Sequence, residues 1–214
     1  MRTALIVIDM QNGFINKKSA QCIPDAEATV PLCAELINHC RANNIPVFFV
    51  NRRYRNDGSD VEAARHASWA AGGKAMSGVC PDYLSDASPA EFGVCEKDYQ
   101  IIKPRFSAFF GTELDLILRR KRIDTVVLIG TTTPNCIRTT CYDALSLDYN
   151  TVVISDCTSS RTKQVQEANL EDMAFIGAQV MTAHEFMSGA VQVIDVVGAA
   201  CDAVENDCTP PERK

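Results

Sequence analysis

The stretch TALIVID, Thr3 to Asp9, carries no charge through its first six residues and then stops on an acid. A strand with one wet face alternates apolar and polar residues. An unbroken apolar run is covered on both faces, as in a parallel sheet. The rest of the chain repeats the theme. PVFFVN (46–51), YQIIKP (99–104), DTVVLIG (124–130), TVVISD (151–156) and AQVMTA (178–183) read as five more strands. Between them, apolar residues recur at helical spacing over 31–43, 111–122, 135–149 and 163–177. Pro31 suits a first helical turn, Thr112 an N-cap, and Gly177 a helix end. Strand and helix alternate with no internal repeat and no linker. The expected fold is α/β: a three-layer, doubly wound, mostly parallel six-stranded sheet with helices on both faces. That domain is expected over 1–187, with a last helix at 190–204 and a polar tail completing 188–214. One connection is long. Residues 52–98 are polar, with short helices expected near 60–67 and 79–86. Such a length inside a compact domain points to a functional segment or a lid.

Composition bounds the function. The 214 residues are 46% hydrophobic and 22% charged, enough for one good-sized core. A net charge of −6 argues against nucleic acid as a partner. The basic cluster RRKR, Arg119 to Arg122, falls at a helix end, where cations offset the helix dipole. No apolar run approaches the roughly eighteen residues that cross a membrane. Ten cysteines are many, but none are spaced CxxC, and Met1 leads straight into a strand without a secretory signal. We therefore expect a reducing cytoplasm and mostly buried, inert thiols. The three histidines form no HxH or HxxxH pair, so no metal or other cofactor is signalled.

In open α/β sheets, ligands bind beyond the carboxyl ends of the strands. The first strand delivers Asp9, with Gln11 and Phe14 following; the second Arg52 and Arg53; the third Lys103; the fourth a run of threonines and Cys136; the fifth Asp156. A thiolate is favoured by a helix N-terminus and a nearby cation, which Cys136 and Lys103 would supply. Asp9 would take the thiol proton and return it to a leaving amine. Backbone N–H groups at the helix start would bind an oxyanion. Each residue alone also has a plain structural reading: a packed thiol, an N-cap, a rim charge. Their shared sheet edge favours chemistry, and spacing alone leaves both readings open.

LIVIDMQNGF, IIKPRFSAFFGTELDLILR, VVLIGTTTPNCIRTTCYDALSLDY and VVISDCTSS follow one another in the chain. Together they resemble the isochorismatase-like cysteine hydrolase superfamily over about residues 1–187. That superfamily includes nicotinamidases, N-carbamoylsarcosine amidohydrolases, and ureidoacrylate and biuret hydrolases. The resemblance implies Asp9 as general base, Lys103 as its charge partner and Cys136 as nucleophile. It also implies a cis peptide between Thr131 and Thr132, with the N–H groups of Thr132 and Cys136 as oxyanion hole. The implied activity is hydrolysis of a C–N bond in a small amide, ureido or carbamoyl compound through an acyl-thioester, without a cofactor, in a homo-oligomer such as a dimer or tetramer. Pro134 departs from the family, where Asn or Asp is common. The nicotinamidase metal site needs an Asp and two His after the second strand; here only His66 is present, which disfavours a metal and nicotinamide. Cys136 argues against vinyl-ether hydrolysis. Gln11, Phe14, Arg53 and Phe109 are taken as substrate contacts. Of Arg52, Arg53, Arg55 and Arg65, one or two suit a clamp on a substrate carboxylate or carbonyl, and they read equally as a solvated loop paired with Asp57, Asp60 and Glu62. Phe14, Phe106 and Phe109 suit pocket walls, and core packing is the plainer role for at least one of them. A redox-sensing or purely ligand-binding module, and an esterase on the same site, stay open as alternatives.

Overall fold

A computed structural model of the chain describes residues 2–192. Its strands are β1 (Thr3–Ile8), β2 (Val47–Arg52), β3 (Tyr99–Lys103), β4 (Thr125–Thr131), β5 (Asn150–Ser159) and β6 (Gln179–Met181). They form one sheet in the order β3-β2-β1-β4-β5-β6, and every pairing is parallel. The helices are α1 (Asn12–Ile15), α2 (Ala26–Ala42), α3 (His66–Ala71), α4 (Leu114–Arg120), α5 (Arg138–Ser146), α6 (Lys163–Phe175) and α7 (Ala183–Met187).

Side-chain alternation splits β1 between two cores. Leu5 and Val7 pack with Cys33, Leu36 and Ile37 of α2. Ile6 and Ile8 face the other way, toward Leu114 and Leu118 of α4, Cys141 and Ala144 of α5, and Met173 of α6. Both faces are thus covered, which explains the unbroken apolar run: Ala4 to Ile8 are wholly buried. Full burial of one such Leu, Val or Ile is worth about 1.5–3 kcal/mol, far more than local strand propensity.

The chain winds from β1 outward to β3, then returns to place β4 against β1. That reversal is where an open α/β sheet opens a crevice. Gly130 makes the close approach possible there. Its φ is +118°, and a Cβ on it would sit 2.0 Å from the carbonyl oxygen of Ile8.

Several boundaries differ from expectation. Helix α2 begins at Ala26, so Pro31 lies inside it rather than in its first turn. The cost is one missing backbone donor in a 17-residue helix. Thr112 is not the N-cap of α4; Glu113 is. Thr112 still bonds the N–H of Leu114 at 3.3 Å and donates to the Ala108 carbonyl at 2.6 Å. The expected helix 135–149 starts late, at Arg138, after a single wide turn over Thr133–Ile137. In the basic cluster, Arg119 pairs with Asp115 at 3.0 Å and donates to the Leu147 carbonyl. The helix expected at 190–204 lies almost entirely outside the described residues.

The long connection after β2 builds a small core of its own from Tyr54, Val61, Trp69, Ala75, Met76 and Leu84. Trp69 Nε1 donates to the Ala75 carbonyl at 2.8 Å inside it. Helical turns fall at His66–Ala71, later than expected, at Asp82–Leu84, and at Ala90–Phe92, where none was expected.

Candidate active site

Strand alternation would send Asp9, next after Ile8, to the α2 face. Its φ of +52° reverses that. A left-handed backbone costs a non-glycine residue roughly 1–2 kcal/mol. Here two backbone bonds hold it, Asp9 N–H to the Val50 carbonyl at 3.0 Å and Gln11 N–H to the Asp9 carbonyl at 2.9 Å. The carboxylate returns to the face of Ile8, where Lys103 arrives from the end of β3. Lys103 Nζ lies 2.7 Å from Asp9 Oδ2, and both side chains are wholly buried. The pairing is one of charge: neither Asp9 oxygen has an aligned hydrogen-bond donor among the described residues. Lys103 also donates to Cys136 Sγ at 3.5 Å and to the Arg105 carbonyl at 3.1 Å. The three residues taken as a catalytic set from sequence therefore meet in space.

Cys136 stands inside the wide turn before α5 rather than in the helix's first turn, and it is buried. The peptide between Thr131 and Thr132 is cis. Thr140, four residues on, fixes this turn. Its hydroxyl donates to the Cys136 carbonyl at 2.6 Å and accepts the N–H of Ala108 at 2.9 Å, tying the turn to the segment after β3. The thiol itself corrects the sequence expectation of a readily formed thiolate. Burial and the Asp9 charge push it up to about 11, against the opposing pull of Lys103 and Arg52. Cys40 and Cys141 are pushed by burial to about 12.

A cavity of about 240 Å³ opens over Cys136, lined by Phe14, Gln21, Ile23, Arg52, Arg65, Phe106, Thr132 and Asn135. Of the four substrate contacts expected from sequence, only Phe14 lines it. Gln11 is a brace: its side chain accepts the N–H of Arg52 at 2.9 Å and donates to the Arg52 carbonyl at 2.8 Å. Arg53 points away, exposed and paired with Asp86. Phe109 stacks on Tyr149, ring centres 5.8 Å apart, as part of the core. Arg52 and Phe106, a clamp and a wall candidate among those weighed from sequence, line it as well. The signal was available: Phe48 and Val50 face the α4–α5 side, and period two along β2 adds Arg52, not Arg53. Among the described residues, no three His, Cys, Asp or Glu side chains gather as a metal site would require. His66 packs against Trp69.

The isochorismatase domain model matches residues 3–185. The chain belongs to the isochorismatase family. A solved isochorismatase family protein from Desulfovibrio vulgaris superposes with a TM-score of 0.82 at 36% identity, covering 89% of this chain and 99% of that one. An Arabidopsis thaliana protein described as a probable inactive nicotinamidase is 37% identical over 86% of this chain and 94% of its own length. N-carbamoylsarcosine amidase from Arthrobacter is 26% identical over 99% of this chain and 78% of its own. No helix among the described residues is long and apolar enough to cross a membrane.

Proposed function

We propose that this isochorismatase family member is a cysteine amidohydrolase acting on a small amide, ureido or carbamoyl compound. The observation that carries this reading is a buried carboxylate and a buried thiol, each in contact with one buried ammonium, beneath one small cavity. In the proposed sequence, Cys136 Sγ attacks the carbonyl carbon while its proton passes to Asp9. The N–H groups of Thr132 and Cys136 receive the oxyanion. The intermediate collapses with cleavage of the C–N bond, and Asp9 gives its proton to the departing amine. Water then attacks the thioester, its proton passes to Asp9, and the acid product leaves as the proton returns to Cys136. Lys103 stays an ammonium throughout and keeps the Asp9 carboxylate tolerable in a dry site.

A thiol held at about 11 fits this scheme if deprotonation and attack are coupled. A free thiolate would be scarce at neutral pH; a base in contact removes the need for one. The kinship to an N-carbamoylsarcosine amidase supports a C–N bond as the target. The test is ammonia release from a panel of small amides, ureas and carbamoyl acids, with esters beside them. At least one compound should turn over with the unaltered chain and none with Cys136→Ala. Full turnover in that variant overturns the thioester route.

A further inference from the structure

Arg52 is the largest fully buried side chain among the described residues. One of its nitrogens is occupied: Nη1 donates to the Tyr54 hydroxyl and to Glu62 Oε1, each at 2.5 Å. Nε and Nη2 are shielded from water and have no hydrogen-bond partner among the described residues. An unmade bond at a buried donor costs about 1–3 kcal/mol, and more on a charged group. Two such donors on one guanidinium call for an acceptor.

Their geometry says which acceptor. Nε and Nη2 lie side by side on one edge of the guanidinium, the edge that grips both oxygens of a carboxylate. The same molecule contains that grip: Arg41 holds Asp98 with Nε and Nη2, at 3.2 and 2.6 Å. Arg52 lines the cavity over Cys136, yet its one ion pair among the described residues is with Glu62, made by the other nitrogen. Burial works against its charge, and the nearby Asp9, Cys136 and Tyr54 hold it protonated. Two guanidiniums approach the ring of Phe106, that of Arg52 at 5.0 Å and that of Arg65 at 5.7 Å from its centre. Lys103, Arg52 and Arg65 together face Asp9 and Glu62, which leaves one positive charge over. Gln11 pins the Arg52 backbone, and Tyr54 and Glu62 hold its guanidinium through Nη1, so the edge is set before any ligand arrives.

We infer that Arg52 is the specificity residue of this site, its Nε–Nη2 edge taking the carboxylate of a small amide-acid whose scissile carbonyl lies at Cys136. The inference rests on the amidohydrolase reading for the amide half only. The carboxylate half stands on Arg52 alone. The cavity, at about 240 Å³, is smaller than the usual 300–1,000 Å³ of drug-sized sites, so the ligand is short.

The experiment is calorimetric titration of the full chain with succinate and, separately, with succinamide, its neutral counterpart of similar shape. Succinate should bind about tenfold or more tightly than succinamide, and should slow alkylation of Cys136 by iodoacetamide, followed by peptide mass. Arg52→Lys keeps the charge and loses the paired edge. It should weaken succinate about tenfold or more and leave succinamide unchanged, with thermal unfolding checked alongside. Equal binding of the two compounds, no binding of either, or an Arg52→Lys variant that binds succinate undiminished overturns the inference. If the variant does not fold, the comparison on the unaltered chain decides alone. Succinate binding with no amide turned over leaves the carboxylate site standing and sinks the reaction. Neutral amides turned over as fast as their carboxylate analogues do the reverse.

Discussion

A carboxylate in contact with a thiol makes the thiol harder, not easier, to ionise. The Asp9 charge disfavours a thiolate beside it, so its removal should lower the Cys136 value from about 11. Asp9→Asn should therefore alkylate faster at pH 8 than the unaltered chain, while turnover falls about 10²–10⁴-fold for want of a base. Iodoacetamide rates against pH, beside ammonia release, read both effects. An inert structural pair would show the first without the second. Lys103→Met should be costlier to the fold. It strands a wholly buried carboxylate, worth about 3–5 kcal/mol by denaturant unfolding. The double variant Asp9→Asn, Lys103→Met should recover much of that loss. These three residues were legible in the sequence because each ends a strand or opens the turn beyond one. Among the arginines weighed as a clamp, Arg53 was preferred to Arg52; with the strand read as 46–51, its period of two was not carried on to Arg52, the residue that closes β2. The resting state of the thiol was not legible, since burial depends on elements far apart in the chain.

At the scale of elements, Gly130 and Gly177 offer a controlled comparison. Both have positive φ, +118° and +109°. An added Cβ meets the Ile8 carbonyl at 2.0 Å in the first case and nothing within 4 Å in the second. Gly177→Ala should cost only the backbone penalty, about 1–3 kcal/mol. Gly130→Ala should cost about 1–3 kcal/mol more, because β1 and β4 must part where the site is built. Thermal unfolding of the two variants measures the difference. Element type was readable wherever apolar spacing was long and regular, as in α2 and β4. Boundaries were not. Pro31 suggested a start that tertiary packing moved five residues upstream, to Ala26. The helical spacing of 135–149 ran without a visible break across the wide turn that carries Cys136.

Across the whole molecule, the 53–98 segment was the least legible part, since its core of Tyr54, Trp69 and Met76 follows no simple period. Glu62 on Arg52 is one of its ties to the sheet, beside Gln11 on the Asp86 carbonyl and Phe92 packed against Phe49. Burial works to raise the Glu62 carboxyl, but Arg52, the local backbone and Tyr54 outweigh it and hold the group at about 2. The folded value lies below the ordinary 4.5, so this contribution is whole above that pH and is lost as pH falls toward 2. Acid titration of stability should show a slope in that window, and Glu62→Gln should flatten it. The order of the strands has another consequence. Asp9 and Cys136 follow the two innermost strands, β1 and β4, whereas Lys103 rides on β3, which has a neighbour on one side only. Edges open before centres. Amide protons of β3 should exchange with deuterium sooner than those of β1 and β4, in native buffer. A brief parting of that one edge would withdraw the ammonium and leave acid and thiol without it, while the rest of the sheet stays paired.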